Sequence, residues 1–184
     1  MRCGGMDCIT ALGKLRRTTA DSVQLHSLAA GVASFLCSQN HWFTYDEKIG
    51  VEACVQSVCD LALVFGEGEM ARPFGVALLI GGVDENGPAL YHVDPSGTQT
   101  RFLAKAIGAG SEGAQNALKD HYNKSLTLKE AQKIALQILK DVMEDKISGV
   151  NVEMGIIPTS THKYHLCTKD ELDQVIKTLD ADLI

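Results

Sequence analysis

The chain has 184 residues, a length that suits one domain with a substantial core. Its apolar share of 45% and charged share of 22% are ordinary for a globular protein and exclude a disordered chain. A formal net charge of −6 offers no basic surface for nucleic acid or an anionic membrane, and no apolar run is long enough to cross a bilayer. We therefore expect a compact protein with neither nucleic acid nor a membrane among its partners.

The first 37 residues predict little regular structure. Basic residues at 14–17 precede an apolar stretch over 25–37, but Asp21 and several polar residues weaken the similarity to a signal peptide. We expect a short helix or an irregular extension here, and no strand pattern leads out of Ile9 and Thr10. The six cysteines are scattered without a C-x-x-C pair, which favours a reducing compartment over a disulfide scaffold.

A helical pattern begins at Val51. Apolar residues recur at three- and four-residue spacing as far as Phe65, with polar residues between them, which predicts an amphipathic helix. Glycines and Pro73 then predict a loop over 66–73. The predicted buried stripe consists of Val51, Cys54, Val55, Val58, Ala62 and Phe65.

Three strands follow in the predicted order. We place them at 74–80, 88–93 and 98–107, joined by turns at 84–87 and 94–97. The turns contain the Asn-Gly and Asp-Pro sequences that favour tight reversals. The pattern predicts an antiparallel meander.

The second half of the chain predicts helices, a hairpin and a final helix. Ser111 is the expected cap of a helix running to about 122, and Thr127 with Glu130 forms a capping box for the next helix. A hairpin over 151–158 and 161–166 precedes a helix capped by Thr168 and Glu171 and running to 179. Blocks of strands alternating with blocks of helices predict an α+β fold with helices covering antiparallel sheets. The apolar face predicted for the second of these helices comprises Ala131, Ile134, Ala135, Ile138, Leu139 and Val142.

A glycine-rich segment, Gly108–Gly113, matches the G-x-G-x-x-G pattern of dinucleotide-binding loops. That fingerprint also requires a second parallel strand, whereas the helix beginning near Thr127 occupies the corresponding region. We favour a strand-to-helix corner and expect no cofactor. Nucleotide binding at this loop is retained as an alternative.

Metal binding and nucleophilic catalysis are weakly supported by the sequence. His162 and His165 have an odd spacing in a predicted strand, and with Cys167 they supply too few converging ligands for a metal site. No G-x-S-x-G motif is present, and the only Gly-Thr junction, Gly97–Thr98, lies in a predicted turn. The sequence predicts no metal site and no catalytic residue.

The segment Ala71–Gly82, ARPFGVALLIGG, closely resembles the alpha-type subunits of the 20S proteasome. Further similar segments occur in the family's order on both sides of it. They are Gln39–His41, Phe43, Tyr45, Glu47, Val51–Glu52, Gly87–Pro88, Tyr91, Asp94–Thr98, Ala106–Gly108, Ser111–Ala114, Lys124–Leu128 and Asn151–Glu153.

The resemblance implies an αββα sandwich of the N-terminal-nucleophile-hydrolase type. Alpha-type subunits are non-catalytic ring members that restrict substrate entry and dock activators, whereas beta subunits with an N-terminal threonine carry out proteolysis. The expected function is therefore structural support of core-particle assembly, gating and ubiquitin-dependent degradation in the cytoplasm and nucleus. The expected partners are other alpha subunits, beta subunits and regulatory particles; the alternative is a self-processing threonine peptidase.

The resemblance also divides the chain. We expect a divergent segment over 1–37 and the C-terminal portion of an alpha-type domain over 38–184, so that the sandwich lacks its N-terminal strands. Gate and activator-pocket residues are not carried over. Residues predicted to serve in subunit contacts or loop geometry are Arg72, Asp94, Pro95, Ser96 and Gly97, with a purely intrachain turn as the alternative.

Overall fold

The computed structural model describes residues 8–13, 37–63, 75–123, 125–143 and 147–181. They form an α+β chain with two compact units, the α2 unit (residues 17–85 and 89–103) and the α4 unit (residues 1–16, 86–88 and 104–184). None of the helices in the described ranges has the length and apolarity needed to span a bilayer. The elements are β1 (Cys8–Gly13), α1 (helical residues 37–45), α2 (Val51–Leu63), β2 (Leu78–Asp84), β3 (Gly87–Val93), β4 (Gln99–Phe102), α3 (Ser111–His121), α4 (Leu128–Val142), β5 (Val152–Ile157), β6 (His165–Leu166) and α5 (Lys169–Ala181).

The α2 unit pairs one helix with a three-stranded sheet in the order β2-β3-β4. The helix predicted from Val51 is confirmed as far as Leu63, and its buried residues include Val58 and Ala62. Phe65, the last residue of the predicted stripe, lies outside the described residues. Alternate residues of β3 face this stripe, as the two-residue period of a strand requires. The shared apolar cluster comprises Val55, Cys59, Tyr91 and Val93.

The first strand of this sheet is displaced along the chain from its prediction. The sequence predicted a strand over 74–80, but β2 begins at Leu78 and extends through Asp84, because the reversal is confined to two residues, 85–86. The Asp84 carboxylate then accepts a hydrogen bond from the Val51 amide at 3.1 Å. This bond pairs one of the donors that the first turn of a helix leaves unsatisfied. The predicted loop over 66–73 lies outside the described residues.

The third strand is shorter than its prediction of 98–107. It ends at Phe102. Beyond it, the Ala106 amide donates to the Gln115 side chain at 3.1 Å, and the Ala104 carbonyl accepts from the same side chain at 3.5 Å. A side-chain amide thus replaces a neighbouring strand as the partner of this backbone.

The α4 unit is built on the sheet β1-β5-β6. Alternate residues of β5 are buried and pack beneath α4 and α5. The sequence placed Ile138 on the apolar face of α4 correctly but missed Leu136, which is completely buried because it packs in a cluster with residues of β5 and α5. The core cluster comprises Leu136, Val152, Met154, Ile156, Leu172 and Leu179.

Strand β1 contradicts the expectation for the N-terminal segment. Residues 8–13 were predicted to be a short helix or an irregular extension, but they pair antiparallel with β5, from Cys8 opposite Ile157 to Gly13 opposite Val152. The pairing provides hydrogen-bond partners along one edge of β5. This strand is therefore set by a distant partner rather than by a local pattern. The apolar stretch over 25–36 lies outside the described residues.

The helix caps follow the sequence in two cases and depart from it in one. Thr127 and Glu130 form the predicted capping box at α4, and at α5 the Glu171 carboxylate accepts from the Thr168 amide at 2.7 Å. The prediction that Ser111 caps α3 is wrong. Gly110 occupies the cap position in a left-handed conformation, without a side-chain hydrogen bond.

Two valines close together in the chain provide a matched test of the α4-unit core. Val152 is 1% exposed, whereas Val150 is 77% exposed. We expect Val152→Ala to lower the free energy of unfolding by about 2 kcal/mol, because it removes buried methyl groups. Val150→Ala should change it by less than about 0.5 kcal/mol. Urea denaturation of both variants measures the difference, and equal effects would contradict the assigned core.

The α4 capping box predicts a component of the pH dependence of stability. Hydrogen bonds from the backbone and side chain of Thr127 lower the pKa of Glu130 in the folded chain. As pH falls, the unfolded state therefore takes up this proton first, at a pKa of about 4.3, and the contribution is lost as pH falls further through the lower folded pKa. Glu130→Gln retains a capping residue and removes the titration. Urea denaturation between about pH 6 and pH 3 should show a smaller decline in the variant; parallel curves would exclude the coupling.

Candidate interaction surface

The turn singled out by the sequence, Asp94–Gly97, is closed by hydrogen bonds within the α2 unit. The Gly97 amide donates to the Asp94 carbonyl at 2.9 Å, and the Asp94 amide donates to the Thr98 carbonyl at 3.0 Å. The Ser96 and Thr98 hydroxyl oxygens lie 3.1 Å apart. These contacts, with Pro95 at the corner, show how the four residues shape the turn. Their role in subunit contacts stays a prediction.

Gly97 brings this turn close to the end of α2. Its φ of +81° lies in the left-handed region. A Cβ at this position would lie 3.0 Å from Leu63 Cδ2 and 3.3 Å from the Cys59 carbonyl oxygen. A side chain here would therefore meet both backbone strain and crowding. Arg72, the other predicted contact residue, lies outside the described residues.

Thr98 occupies a position that is poorly suited to self-processing. Its carbonyl accepts the hydrogen bond that closes the turn, and β4 begins at the next residue. Cleavage before Thr98 would sever the covalent connection between β3 and β4. The geometry gives no support to the peptidase alternative.

The glycine-rich segment forms a corner before α3. Gly108 and Gly110 have φ values of +99° and +76°, and a Cβ on Gly110 would overlap Val142 of α4. The next element after α3 is another helix, α4, rather than a strand. The βαβ unit that a dinucleotide-binding loop requires is therefore not formed at this segment.

An exposed aromatic surface lies on α1. We define the α1 aromatic surface as Trp42, Phe43 and Tyr45, whose side chains are 52%, 92% and 65% exposed. The His41 ring packs against Tyr45 with a centroid separation of 4.8 Å, and His41 Nε2 lies 3.4 Å from Glu47 Oε1. Three large aromatic side chains are thus exposed on one short helix, on more than one of its sides, because residues one and two apart on a helix do not face each other. Exposed aromatic side chains of this kind are enriched at contact sites between proteins.

Sequence reasoning missed this surface as a candidate site. Phe43 and Tyr45 were considered in the sequence only for their resemblance to a family, although the segment HWFTY shows a run of aromatic residues between polar ones. Periodicity alone does not identify an outward-facing helix face, because the helix could equally turn its aromatic residues inward.

A third group of side chains lies at the junction of β6 and α5. The ligand atoms of His165, Cys167 and Glu171 all lie within 4.8 Å of one another, and His165 Nε2 is 3.3 Å from Glu171 Oε2. The expectation that the two histidines share a strand is wrong, because His162 precedes β6 and has a φ of +53°. Sequence reasoning treated Glu171 only as a helix cap; the spacing H-x-C-x-x-x-E was the missed signal.

Opposite pKa shifts occur within this group. Burial, and then the nearby Glu171 carboxylate, raises the pKa of the Cys167 thiol. Hydrogen bonds from the Thr168 backbone and side chain, followed by one from His165, lower the pKa of Glu171. These surroundings therefore favour the ionised form of the Glu171 carboxyl and the protonated form of the Cys167 thiol.

Comparison with known proteins assigns the chain to a family. A family profile described as "Proteasome subunit" matches residues 19–157, which is more than half of the chain. The chain belongs to the proteasome subunit family. The expected resemblance is thereby confirmed. The predicted division of this proteasome-family chain at residue 38 stays a prediction.

Several curated proteins are similar to this proteasome-family chain. The proteasome subunit alpha type-5 of Dictyostelium discoideum is 58% identical over 149 residues, which cover 78% of the chain and 62% of that protein. The alpha type-5 subunits of Caenorhabditis elegans and Drosophila melanogaster are 50% and 47% identical, over 77% of the chain in each case. The chain spans 62% and 60% of the lengths of these two proteins.

Gly97 yields a test of the turn described above. Gly97→Ala should lower the free energy of unfolding by about 2 kcal/mol, from the left-handed conformation and the contact with Leu63. Gly87→Ala is the matched control, because Gly87 also has a positive φ (+101°) but no heavy atom within 4 Å of its added Cβ. Its effect should be smaller in urea denaturation. A Gly97→Ala chain as stable as the wild type would refute the close packing of turn and helix.

Proposed function

We propose that the chain is a non-catalytic structural subunit of the alpha ring of the 20S proteasome core particle. It would support core-particle assembly, gating and ubiquitin-dependent protein degradation, in the cytoplasm and the nucleus. The similarity to curated alpha type-5 subunits supports the alpha assignment. The observation that carries the proposal is the α1 aromatic surface, which supplies an apolar contact surface to a chain of an oligomer-forming family.

The proposed fold is the αββα sandwich of the N-terminal-nucleophile hydrolases. Each unit contains a sheet with helices packed on it, as such layers require. In the α2 unit, α2 packs on the sheet β2-β3-β4, and in the α4 unit, α4 and α5 pack on β5. Both sheets therefore have one face covered by helices, which is the basic element of this architecture.

The α1 aromatic surface is the proposed contact with a neighbouring proteasome subunit. Phe43, at 92% exposure, gains most from being covered, since burying a phenylalanine side chain is worth about 1.5–3 kcal/mol. Trp42 and Tyr45 add polar atoms that can form hydrogen bonds at the edge of a contact. Aromatic residues of this kind are enriched among the side chains that contribute most to protein–protein affinity.

The other proposed partners, beta subunits and regulatory particles, would contact the assembled alpha ring. Beta subunits would contact the alpha ring on one side, and regulatory particles would bind the assembled ring rather than the isolated chain. Arg72 and the Asp94–Gly97 turn remain proposed contact or loop-shaping residues. The intrachain hydrogen bonds of the turn support at least the loop-shaping role.

Co-purification tests the proposal. A tagged full-length chain expressed in its native cell should recover alpha and beta subunits of the core particle, quantified by mass spectrometry. Phe43→Ser should reduce that recovery by about tenfold or more, because it removes the most exposed aromatic side chain of the proposed contact. Val150→Ser is the matched control, since Val150 is 77% exposed in the α4 unit and should leave recovery unchanged.

Circular dichroism and the melting temperature of each purified variant would establish that the fold is retained. Failure of the wild-type chain to recover core-particle subunits would contradict the structural-subunit proposal. Equal recovery by the wild type and Phe43→Ser would contradict the α1 aromatic surface as the contact.

A further inference from the structure

The side chains at the β6–α5 junction bring three different metal-ligating groups together. An imidazole, a thiol and a carboxylate, from His165, Cys167 and Glu171, place their ligand atoms within 4.8 Å of one another. Ligand atoms around a tetrahedral zinc ion are separated by roughly 3–4 Å, as bond lengths of about 2.0–2.3 Å require. Small side-chain rotations therefore suffice to bring all three onto one ion.

The backbone holds each of these residues in place independently of a metal. His165 pairs with Ile156 across the β5–β6 ladder, and the Cys167 amide donates to the Met154 carbonyl at 2.9 Å. Both residues are thus attached to β5 and, being two apart on extended chain, have side chains on the same side. Such fixed supports reduce the conformational entropy that is lost when ligands are collected around an ion.

Glu171 is oriented by the cap of α5. Its Oε2 accepts from the Thr168 amide at 2.7 Å, and its own amide donates to Thr168 Oγ1 at 3.4 Å. A carboxylate offers about four acceptor positions on two oxygens, so this bond is compatible with metal coordination. Hydrogen-bonded supports of this type fix the orientation of metal ligands in known sites.

We propose that His165, Cys167 and Glu171 bind one Zn²⁺ ion, with water as the fourth ligand. Thiolate and imidazole favour zinc over magnesium or calcium, which prefer oxygen ligands. Thiolate and carboxylate together balance the charge of the ion. On binding, the Cys167 S–H bond is replaced by an S–Zn bond, and the proton is released to solvent.

The site would fasten β6 to the start of α5. The chain between them turns within residues 166–168, and the ion would connect one ligand from the strand, one from the connection and one from the first helical turn. Its effect on the chain is a stabilisation of the folded state that depends on zinc concentration. This role is separate from the proposed contact with proteasome subunits.

Metal titration of the full chain, made without a histidine tag and stripped of metal under reducing conditions, tests the proposal. Co²⁺ is the spectroscopic probe, because thiolate ligation produces a charge-transfer absorption, and Zn²⁺ should displace it at one equivalent. Cys167→Ser should abolish the absorption, and His165→Gln should weaken Zn²⁺ binding by roughly tenfold or more. His162→Gln and Cys54→Ser are matched controls that should bind like the wild type.

Glu171→Gln separates ligation from folding. Glutamine is also an accepted residue at this position of a capping box, so the variant keeps the helix cap while losing the anionic ligand. We expect a folded chain, judged by circular dichroism, with roughly tenfold weaker Zn²⁺ binding. Unchanged affinity in all three ligand variants, or no binding by the wild type, would overturn the proposal.

A second measurement needs no variant. Zinc K-edge X-ray absorption of the wild-type chain at one equivalent should show one sulfur neighbour at about 2.3 Å and nitrogen or oxygen neighbours at about 2.0–2.2 Å. A shell without sulfur, or with two or more sulfurs, would exclude this ligand set.

Discussion

The buried face of β5 is the constraint on which the α4 unit depends. Val152, Met154 and Ile156 project from one side of the strand into the core beneath α4 and α5. The same strand pairs with β1 on one edge and with β6 on the other. Because the register of a strand fixes which side chains face the core, a slip of one residue would expose all three apolar residues together. The register in which β5 pairs with β1 and β6 is therefore the one that keeps these three side chains in the core.

The backbone positions of the β6–α5 junction are fixed by hydrogen bonds to β5. The ladder places His165 opposite Ile156, and the Met154 carbonyl accepts from Cys167. The three-ligand group is thus a consequence of the register that the core imposes. This connection explains how residues in a short, exposed strand can be held closely enough to act as ligands.

Elements governed by local chemistry were predictable from sequence. The helix from Val51, the turn at Asp94–Gly97 and the Thr127 capping box all follow from spacing and residue type within a few positions. Elements that depend on distant partners were not predictable. Strand β1 exists through its pairing with β5, and the backbone beyond the strand that begins at Gln99 bonds to the distant side chain of Gln115 instead of continuing as a strand.

For the candidate sites too, some features were predictable from sequence and others depended on the folded structure. Family motifs indicated the proteasome class, and the profile over residues 19–157 confirms it. The α1 aromatic surface and the three-ligand group went unrecognised as sites, since exposure and convergence are properties of the folded chain. Gly110 is a smaller case: the sequence suggested Ser111 as the cap of α3, but close approach to Val142 favours glycine at that corner.

We propose that a neighbouring subunit covers the α1 aromatic surface, whereas the core cluster around β5 is buried within the chain itself. Hydroxyl-radical footprinting of the isolated chain and of purified core particles containing it tests this most directly. We expect Phe43 and Trp42 to be oxidised in the isolated chain and strongly protected in the particle, with buried Met154 protected in both. Equal oxidation of Phe43 and Trp42 in the two samples would contradict it.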